Sequence, residues 1–205
     1  MDNKIKTVIN LNKGHLKFYA CLKYLVTPFS ELDSRIPKKC RLLDIGCGYG
    51  VYSIYFALKS ERRTISGIDK NPKKINYADK ISKGCRNVNF NVLDLDKNYA
   101  LPEADVYLIN DVLHHINNMS KEILLKKISD KMKKNNILLI KEMHSGSKIK
   151  FFLNCINDKI MTFNKKLYFI EKERLLSSFK KLGLKVRHYK LNNYIFPHII
   201  YICKK

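Results

Sequence analysis

One stretch of this 205-residue chain decides its fold: Leu42-Leu43-Asp44-Ile45-Gly46-Cys47-Gly48-Tyr49-Gly50. A short apolar run leads to an acid and then to three alternating glycines. This order is typical of a buried strand that ends in a ligand-binding loop, because glycine lets the backbone turn sharply and approach a ligand without an intervening Cβ. The next segment, Val51 to Ser60, is predicted to be a helix whose N-terminal amides face the loop.

A second strand, Thr64 to Ile68, ends in Asp69, about 20 residues after the glycines. An acid at that distance is placed to accept hydrogen bonds from both hydroxyls of a ribose. The third glycine comes one residue earlier than in a dinucleotide-binding G-x-G-x-x-G loop, and no Gly-Lys-Ser/Thr of a P-loop follows. These features favour a nucleoside without a phosphate chain, with Asp44 near a cationic group of the ligand.

This combination resembles the S-adenosylmethionine (SAM) site of class I methyltransferases. The resemblance implies that the loop around Gly46, Gly48 and Gly50 passes the methionine end of SAM and that Asp44 lies near its ammonium group. Asp69, with Lys70 next to it, corresponds to the position that holds the ribose. Further motifs follow in the family's order from Arg41 to the C-terminus.

The third and fourth strands carry the next two motifs of that resemblance. Asn91-Val92-Leu93-Asp94-Leu95 is similar to the motif in which the acid, here Asp94, contacts the adenine amino group and the following residue, Leu95, offers a backbone amide. Asp105 to Ile116 resembles the fourth strand and its turn, where Asn110 would offer a backbone carbonyl to the SAM ammonium. The Val-Leu-His-His-Ile ending is typical of members that act on small molecules and lipids.

Candidate catalytic residues lie at or just beyond the fourth and fifth strand ends: His144, His115, Asp111 and Glu142. Methyl transfer requires a nucleophile held in line with the sulfonium, and a base is needed only if the nucleophile carries a proton. We therefore expect His144 or His115 as a base for an oxygen nucleophile, oriented by Asp111 or Glu142. Alternatives stay open: one of His114 and His115 is structural, Asp111 caps a helix, or His144 is an ordinary loop residue.

The pattern of elements predicts an α/β fold. It is a single-domain, doubly wound sheet of seven strands, mostly parallel, with an antiparallel C-terminal hairpin at the edge and helices on both faces. Residues 1–40 form an N-terminal helical cap with one helix from Lys13 to Leu32, residues 41–143 the SAM-binding core, and residues 144–205 the acceptor region and final strand pair. The predicted helices are Val51–Ser60, Pro72–Lys83, Ser120–Lys133, Lys148–Phe163 and Lys172–Leu182. The predicted strands are Arg41–Ile45, Thr64–Asp69, Val88–Leu93, Asp105–Asn110, Ile137–Met143, Leu184–Lys190 and Tyr194–Ile202, the last two joined by Asn192-Asn193.

Composition restricts the remaining possibilities. The length suits one domain, no apolar run is long enough to span a bilayer, and the N-terminus lacks the apolar core of a signal peptide, so a cytoplasmic protein is expected. Six scattered cysteines form no C-x-x-C or Cys/His cluster, which predicts neither a zinc site nor a disulfide framework and predicts thiols that are reduced and mostly buried.

The formal net charge of +22 raises the question of an anionic partner. Lysine is spread over nearly every segment, as expected from compositional bias. The densest cationic stretch with aromatic residues, Lys148 to Lys172, suits RNA, an anionic membrane surface or an ordinary core-facing helix and loop. The fourth motif lacks the Asn/Asp-Pro-Pro-Tyr of enzymes that grip base amino groups, which disfavours DNA.

These observations predict a SAM-dependent methyltransferase that acts on a small-molecule or lipid-type acceptor, at oxygen. RNA or protein methylation is the competing enzyme hypothesis, and a non-catalytic SAM-binding module is the third.

Overall fold

The computed structural model describes residues 2–97, 99–143, 168, 171–191 and 198–205. The chain divides into two compact units, Met1–Val106 and Tyr107–Lys205. The prediction of one domain over residues 1–205, with its three parts, stays a prediction. Among the described residues, no helix combines the length and the apolar character needed to cross a bilayer.

The first unit holds three parallel strands in the order β3-β2-β1, with β1 paired to β2 and β2 to β3. The predicted strands and the two helices after β1 are present, with ends shifted by at most two residues. In chain order the elements are α1 (Asn3–Leu11), α2 (Gly14–Val26), α3 (Phe29–Asp33), β1 (Cys40–Ile45), α4 (Val51–Lys59), β2 (Arg63–Asp69), α5 (Pro72–Ile81) and β3 (Val88–Val92).

The N-terminal segment differs from the prediction of a single helix over Lys13–Leu32. The structure has α2 and α3 there, separated at Thr27, whose φ of −125° and ψ of 139° are extended. Pro28 explains the break, because proline has no amide hydrogen and disfavours a helical residue before it. α1 was not predicted; the side chain of Asp2 accepts a hydrogen bond from Lys4 N at its start.

A fully buried arginine fastens α3 and the segment after it to β2. The Arg63 guanidinium donates to Asp33 Oδ1 at 2.5 Å, to the Ile36 carbonyl at 2.7 Å and to the Pro37 carbonyl at 3.0 Å. A buried charge is tolerated only when it is paired and hydrogen-bonded. These contacts meet that condition and fix how the N-terminal helices join the strands of this unit.

The second unit holds four strands in the order β4-β5-β7-β6, and β7 is antiparallel to both β5 and β6. Its elements are β4 (Val106–Asn110), which begins at the unit boundary, a single 3₁₀ turn (Leu113–His115), α6 (Asn118–Lys131), β5 (Ile137–Met143), α7 (Lys172–Lys181), β6 (Lys185–Leu191) and β7 (His198–Lys204). With seven strands, parallel pairing in the first unit and an antiparallel C-terminal pair, the predicted fold class is confirmed.

Element ends in the second unit differ from the prediction by one or two residues, most of all at both ends of α6, which ends at Lys131 rather than Lys133, and at the end of the last strand. α6 begins at Asn118 rather than Ser120, because the Asn117 side chain accepts a hydrogen bond from Ser120 N and caps the helix there. The last strand reaches Lys204 rather than Ile202. The predicted helix over 148–163, the turn at 192–193 and Cys155 lie outside the described residues. Of the five described cysteines, Cys40, Cys47 and Cys203 are buried, Cys85 is partly buried and Cys21 is exposed.

Candidate functional site

The loop between β1 and α4 is shaped by its three glycines. Gly46, Gly48 and Gly50 have φ of 76°, 57° and 74°, a region that side-chain-bearing residues rarely adopt. The amides of Gly46 and Cys47 both donate to the Ile68 carbonyl, at 2.7 and 3.0 Å. The loop is therefore fastened to the end of β2. The sequence predicted that the strand breaks into a loop here but did not indicate this attachment.

Two of these glycines are required for different reasons. A Cβ at Gly50 would lie 2.6 Å from the Phe90 ring and 2.9 Å from Ala78 Cβ, so this glycine permits close packing. A Cβ at Gly48 would meet no atom within 4 Å. The Gly48 position thus borders open space, which fits a loop that leaves room for a ligand.

Asp69 closes the loop from the end of β2. Its Oδ2 accepts from Gly48 N at 3.0 Å and its Oδ1 accepts from Asn71 N at 2.9 Å. Each carboxylate oxygen has two lone pairs, so both oxygens retain acceptor capacity. Asp69 is also only partly buried, and it fits the predicted role of accepting hydrogen bonds from ribose hydroxyls.

Asp44 is an almost completely buried acid at the end of β1, with 2% of its surface exposed. Its Oδ2 accepts from Ser53 Oγ at 2.5 Å, and the charge that acts on it is the negative Asp69. Burial raises the Asp44 pKa to about 6, against the Ser53 hydrogen bond, which lowers it. A buried carboxylate in this state would be stabilised by a cation, which fits the predicted contact with the SAM ammonium.

The remaining predicted cofactor residues of the first unit lie near the ends of β2 and β3. Lys70 Nζ is paired with Asp96 Oδ2 at 2.9 Å, and this hydrogen bond raises the Lys70 pKa. Asp94 Oδ1 accepts from Asp96 N at 3.1 Å, and Leu95 is partly buried. The lysine therefore links the two strand ends, and its predicted cofactor contact stays a prediction.

A tyrosine cluster beside the loop was not predicted from the sequence. The Tyr49 ring makes edge contacts with Tyr19 on α2 and Tyr77 on α5, at centroid distances of 5.6 and 5.7 Å. Lys74 Nζ lies 5.5 Å from the Tyr49 ring centroid. Tyr49 stands between two glycines, and a large aromatic residue there is the one sequence signal for this cluster. Through Tyr19, α2 packs against the glycine loop.

In the second unit, the turn after β4 begins with a strained residue. Asp111 has φ of 57°, the only positive φ at a non-glycine residue in the described part of the chain. Its carboxylate is paired with Lys141 Nζ, and its amide donates to the Lys141 carbonyl at 2.9 Å. Lys141 is fully buried within β5. The predicted alternative that Asp111 caps a helix is not what the structure shows, because its side chain bonds the lysine.

The next residue of β5, Glu142, holds the rest of the same turn. Its Oε1 accepts from Val112 N at 3.0 Å and from Leu113 N at 2.7 Å, and its Oε2 lies 2.7 Å from His114 Nδ1. Lys141 and Glu142, whose side chains lie on opposite faces of β5, thus bind the four consecutive residues from Asp111 to His114. We call Lys141 and Glu142 together the β5 clamp. The sequence signal for it was a Lys-Glu pair that interrupts the apolar strand Ile137–Met143.

The two histidines of the turn have different surroundings. His114 is 2% exposed and is held by Glu142, whereas His115 is partly exposed. Their ring centroids are 4.1 Å apart. This arrangement supports the alternative that one of the pair, His114, is structural. Asn110, whose backbone carbonyl is predicted to accept a hydrogen bond from the SAM ammonium, ends β4 and is 9% exposed. His144 lies outside the described residues.

Tyr168 is tied to this turn by its main chain. Its amide donates to the His114 carbonyl at 2.7 Å, and its carbonyl accepts from Lys121 Nζ. Burial lowers the pKa of Lys121 to about 8. In the described part of the chain, no three His, Cys, Asp or Glu residues are grouped so as to hold a metal ion.

The structure thus gathers most of the predicted residues into two groups, one in each unit. In the first, Gly48 donates to Asp69, Gly46 donates to the end of β2, and the Asp69 charge acts on Asp44. Asn110, Asp111, Glu142 and His115 lie at the ends of β4 and β5 in the second. Sequence reasoning missed Ser53 and Lys141. Ser53 is a polar residue in the otherwise apolar start of α4, and that was its available signal.

Solved structures of low sequence identity share this fold. Human N-acetylserotonin methyltransferase, solved in complex with SAM, superposes with a TM-score of 0.71 over 93% of this chain and 55% of its own, at 18% identity. Among curated proteins, a probable (S)-tetrahydroprotoberberine N-methyltransferase of Papaver bracteatum is 30% identical over 101 residues, which are 48% of this chain and 28% of the relative. The carboxy-S-adenosyl-L-methionine synthase of Helicobacter pylori (strain HPAG1) is 27% identical over 113 residues, 55% of this chain and 47% of the relative.

This chain therefore spans between about a quarter and a half of the length of these curated relatives. A family model described as a methyltransferase domain matches residues 36–182, which include every element from β1 to α7. The family predicted from the glycine loop and its following motifs is confirmed: the chain belongs to the methyltransferase domain family.

Proposed function

We propose that this protein transfers a methyl group from SAM to a small-molecule or lipid-type acceptor, at oxygen. The observation that carries the proposal is the pair of acids around the glycine loop. Asp44 is buried, and no cation among the described residues acts on it. Asp69 retains acceptor capacity next to the open Gly48 position. The family match to a methyltransferase domain supports the same conclusion.

Four sets of residues would hold the cofactor. Asp44 would balance the charge of the ammonium group, and Asp69 would accept hydrogen bonds from the ribose hydroxyls. Asp94 and Leu95 would recognise adenine, and the Asn110 carbonyl would accept from the ammonium, as the family resemblance implies. When bound, SAM supplies an electrophilic methyl group on a positively charged sulfur. The protein's own task is then to hold the acceptor in line with that bond.

Removal of a proton from the acceptor is assigned to His115. It is the partly exposed histidine of the turn, and the β5 clamp fixes the backbone on which it stands. Asp111 and Glu142 would orient this turn rather than react, since both are engaged in contacts with it or with β5. His144, which has no described surroundings, stays the alternative base.

The choice of a small acceptor is supported by the names of related proteins. The Papaver relative is a probable N-methyltransferase of a tetrahydroprotoberberine, and one structural neighbour is an O-methyltransferase family protein solved with apigenin. Nitrogen is therefore the alternative acceptor atom. The Helicobacter relative is named a synthase, so SAM chemistry other than methyl transfer, or binding without catalysis, is the second candidate function. Contact with a membrane through residues 148–172 also stays a prediction, because most of them are not described.

Cofactor binding is tested first, by titration calorimetry with SAM. We expect Asp69→Asn to weaken SAM binding by at least about tenfold, because one or more hydrogen bonds to a charged acceptor are lost. Asp79→Asn, an exposed acid on α5, is the matched control and should bind like the wild type. Equal affinity in all three proteins would disprove the cofactor site.

Methyl transfer is tested with methyl-labelled SAM and an extract of the source cells, separated into organic-soluble, aqueous small-molecule, RNA and protein fractions. Label in an organic or small-molecule fraction would support the proposal. Label in RNA or protein would assign the competing acceptor class. SAM binding without label in any fraction would favour the non-catalytic alternative.

Once an acceptor is identified, the role of His115 can be separated from that of its neighbour. His115→Gln should lower kcat by about 10²-fold or more with unchanged SAM affinity, the usual size of a general-base contribution. His114→Gln should lower the melting temperature, because Glu142 loses its buried partner. If His115→Gln turned over as fast as the wild type, the base would have to be sought elsewhere.

A further inference from the structure

The C-terminal part of the chain contains no acidic residue after Glu173. At the average acidic content of the whole chain, residues 174–205 would contain about three acidic residues. It contains eight basic residues: Arg174, Lys180, Lys181, Lys185, Arg187, Lys190, Lys204 and Lys205. Uniform enrichment in lysine does not explain the missing acids, so the positive charge here is more than the general bias of the sequence.

Much of this charge lies on β6, which is the edge strand of its sheet. Lys185, Arg187, His188, Tyr189 and Lys190 are all exposed, on both faces of the strand. Lys185, Arg187 and Tyr189 alternate along the strand and therefore share one face. Pairing of Lys185 with Lys204 of β7 brings another cation to the same face. The result is a row of cations that ends in a tyrosine ring with 42% of its surface exposed.

The charges in this row, and those of Lys190 on the opposite face of β6 and of Lys180 and Lys181 on α7, are not paired with acids within the described part of the protein. No ion pair there involves Lys180, Lys181, Lys185, Arg187, Lys190 or Lys204. Of the eight basic residues, Arg174 faces Glu122 at 3.6 Å, and Lys205 donates to carbonyls at the C-terminus of α6. We call the surface formed by Lys180, Lys181, Lys185, Arg187, Tyr189, Lys190 and Lys204 the β6 basic surface.

We propose that the β6 basic surface binds single-stranded RNA, separately from the methyl-transfer site. Lysine and arginine side chains that are free of acidic partners neutralise phosphates and release counterions. Exposed aromatic rings stack on unpaired bases, and this stacking tolerates any sequence. The alternation of cations with Tyr189 along one strand supplies both elements in a single row.

Protection of the sheet edge and attachment to a membrane would each account for less of this surface. Charged residues on an edge strand, lysine in particular, prevent pairing with other chains. Edge protection accounts neither for the exposed Tyr189 ring nor for the cations Lys180 and Lys181, which lie on α7 and not on the strand. An anionic membrane would also attract the cations, yet membrane-bound surfaces present exposed Leu, Phe or Trp side chains as anchors. Of the large apolar residues that are exposed in the described chain, Tyr189 alone lies on this surface.

The test compares two triple charge reversals with a fluorescein-labelled 20-mer of uridine, followed by anisotropy at several salt concentrations. Lys185→Glu, Arg187→Glu and Lys190→Glu change the β6 basic surface. Lys80→Glu, Lys83→Glu and Arg86→Glu are the matched control, since these side chains are also exposed and the change in net charge is the same. Melting temperatures and SAM affinities of both variants should equal those of the wild type.

We expect the β6 variant to bind RNA at least about tenfold more weakly and to reduce the slope of log K against log salt by about two, from roughly 0.7 per lost phosphate contact. The control variant should lose less than about twofold. Equal losses in both variants would show that the attraction is diffuse and would overturn the proposal, as would a wild-type protein that does not bind the RNA. If the β6 variant failed to fold, the same three positions changed to Gln would replace it.

A second pair of variants tests the stacking. Tyr189→Ala should weaken RNA binding by about fivefold or more, whereas Tyr189→Phe should not, because stacking uses the ring and not the hydroxyl.

Vesicles of anionic phospholipid are the competing partner. If the β6 variant lost vesicle binding and kept RNA binding, the surface would be assigned to the membrane instead. Neither outcome depends on methyl transfer, so the proposed function is judged independently.

Discussion

The acids around the glycine loop and the acids around the turn after β4 are used in opposite ways. In the first region, Asp44 accepts a hydrogen bond from Ser53, and Asp69 accepts from two amides and keeps further acceptor capacity. In the second region, Asp111 is paired with a buried lysine, and Glu142 is bonded by two amides and a histidine. The contrast separates acids that have capacity left for the proposed ligand from acids that hold the protein's own backbone.

The largest expected effect is that of Lys141→Met, which tests whether the acids of the second region hold the backbone. This change removes a fully buried cation from the partly buried Asp111 carboxylate, and we expect the free energy of unfolding to fall by about 3–5 kcal/mol. Chemical denaturation, with the midpoint compared at a constant m-value, measures the loss.

The double variant Lys141→Met, Asp111→Asn is the control for that experiment. It removes both charges at once, so at least half of the lost stability should return. If the single change cost less than about 1 kcal/mol, the lysine would not be holding the turn, and the β5 clamp would be reduced to Glu142.

Within the first region, the glycines themselves can be set against each other. Gly50→Ala should cost about 2–4 kcal/mol, because the new methyl group meets Phe90 and the residue has a positive φ. Gly48→Ala should cost only about 1 kcal/mol, from the φ alone, yet it should weaken SAM binding because the methyl group points into open space. Melting curves and calorimetry on the two variants separate these effects, and equal stability losses would contradict the distinction.

Local sequence patterns predicted the first region better than the second. The apolar run before Gly46 and the acid at the end of β2 are features of short segments, and the structure has the predicted strands there, with Asp69 at the end of β2. The different roles of Gly48 and Gly50 were not predicted, because they depend on Phe90, which is about 40 residues away in the sequence. No local feature of the sequence indicates such a tertiary contact.

The second region depends on pairs that are far apart in the chain. Lys141 and Asp111 are 30 residues apart in the sequence. A lysine in an apolar strand gives no indication of which acid it pairs with. The prediction of one N-terminal helix was wrong for another reason. The helical periodicity of residues 13–32 was given more weight than Pro28, although proline breaks helices. A fully buried Arg63 was equally unexpected, since arginine is almost always exposed unless it is paired.

Asp44→Asn should have the opposite effect on stability from Lys141→Met. Because the Asp44 pKa is raised from 3.8 to about 6, its ionisation destabilises the folded state progressively as the pH rises from about 4 to 6. Above pH 6 the cost is about 3 kcal/mol, from roughly 1.4 kcal/mol per pKa unit. We therefore expect the Asn variant to be more stable than the wild type at pH 8, by up to that amount, and to bind SAM more weakly.

The comparison variant for this prediction is Ser53→Ala, which removes the hydrogen bond that lowers the Asp44 pKa. It should be less stable than the wild type at pH 8, with a difference that shrinks as the pH falls towards 4. Unfolding curves at pH 4.5, 6 and 8 measure both variants. An Asn variant that lost stability at pH 8 would mean that Asp44 already has a cationic partner in the protein.

The smallest expected effect is the pH dependence of cofactor affinity. In the proposed site, ionised Asp44 would stabilise the SAM ammonium group, so binding below the Asp44 pKa would have to remove a proton from the carboxyl group. We expect the SAM dissociation constant to be constant from about pH 6 to 7, where the α-ammonium group is still protonated, and to rise by up to about tenfold per pH unit below pH 6, since one proton is released per molecule bound. The Asn variant lacks this group, and its affinity should be weaker but flat over the same range. A wild-type profile without this bend would assign the ammonium to another residue, whereas a bend at the same pH in both proteins would place the titrating group elsewhere in the site.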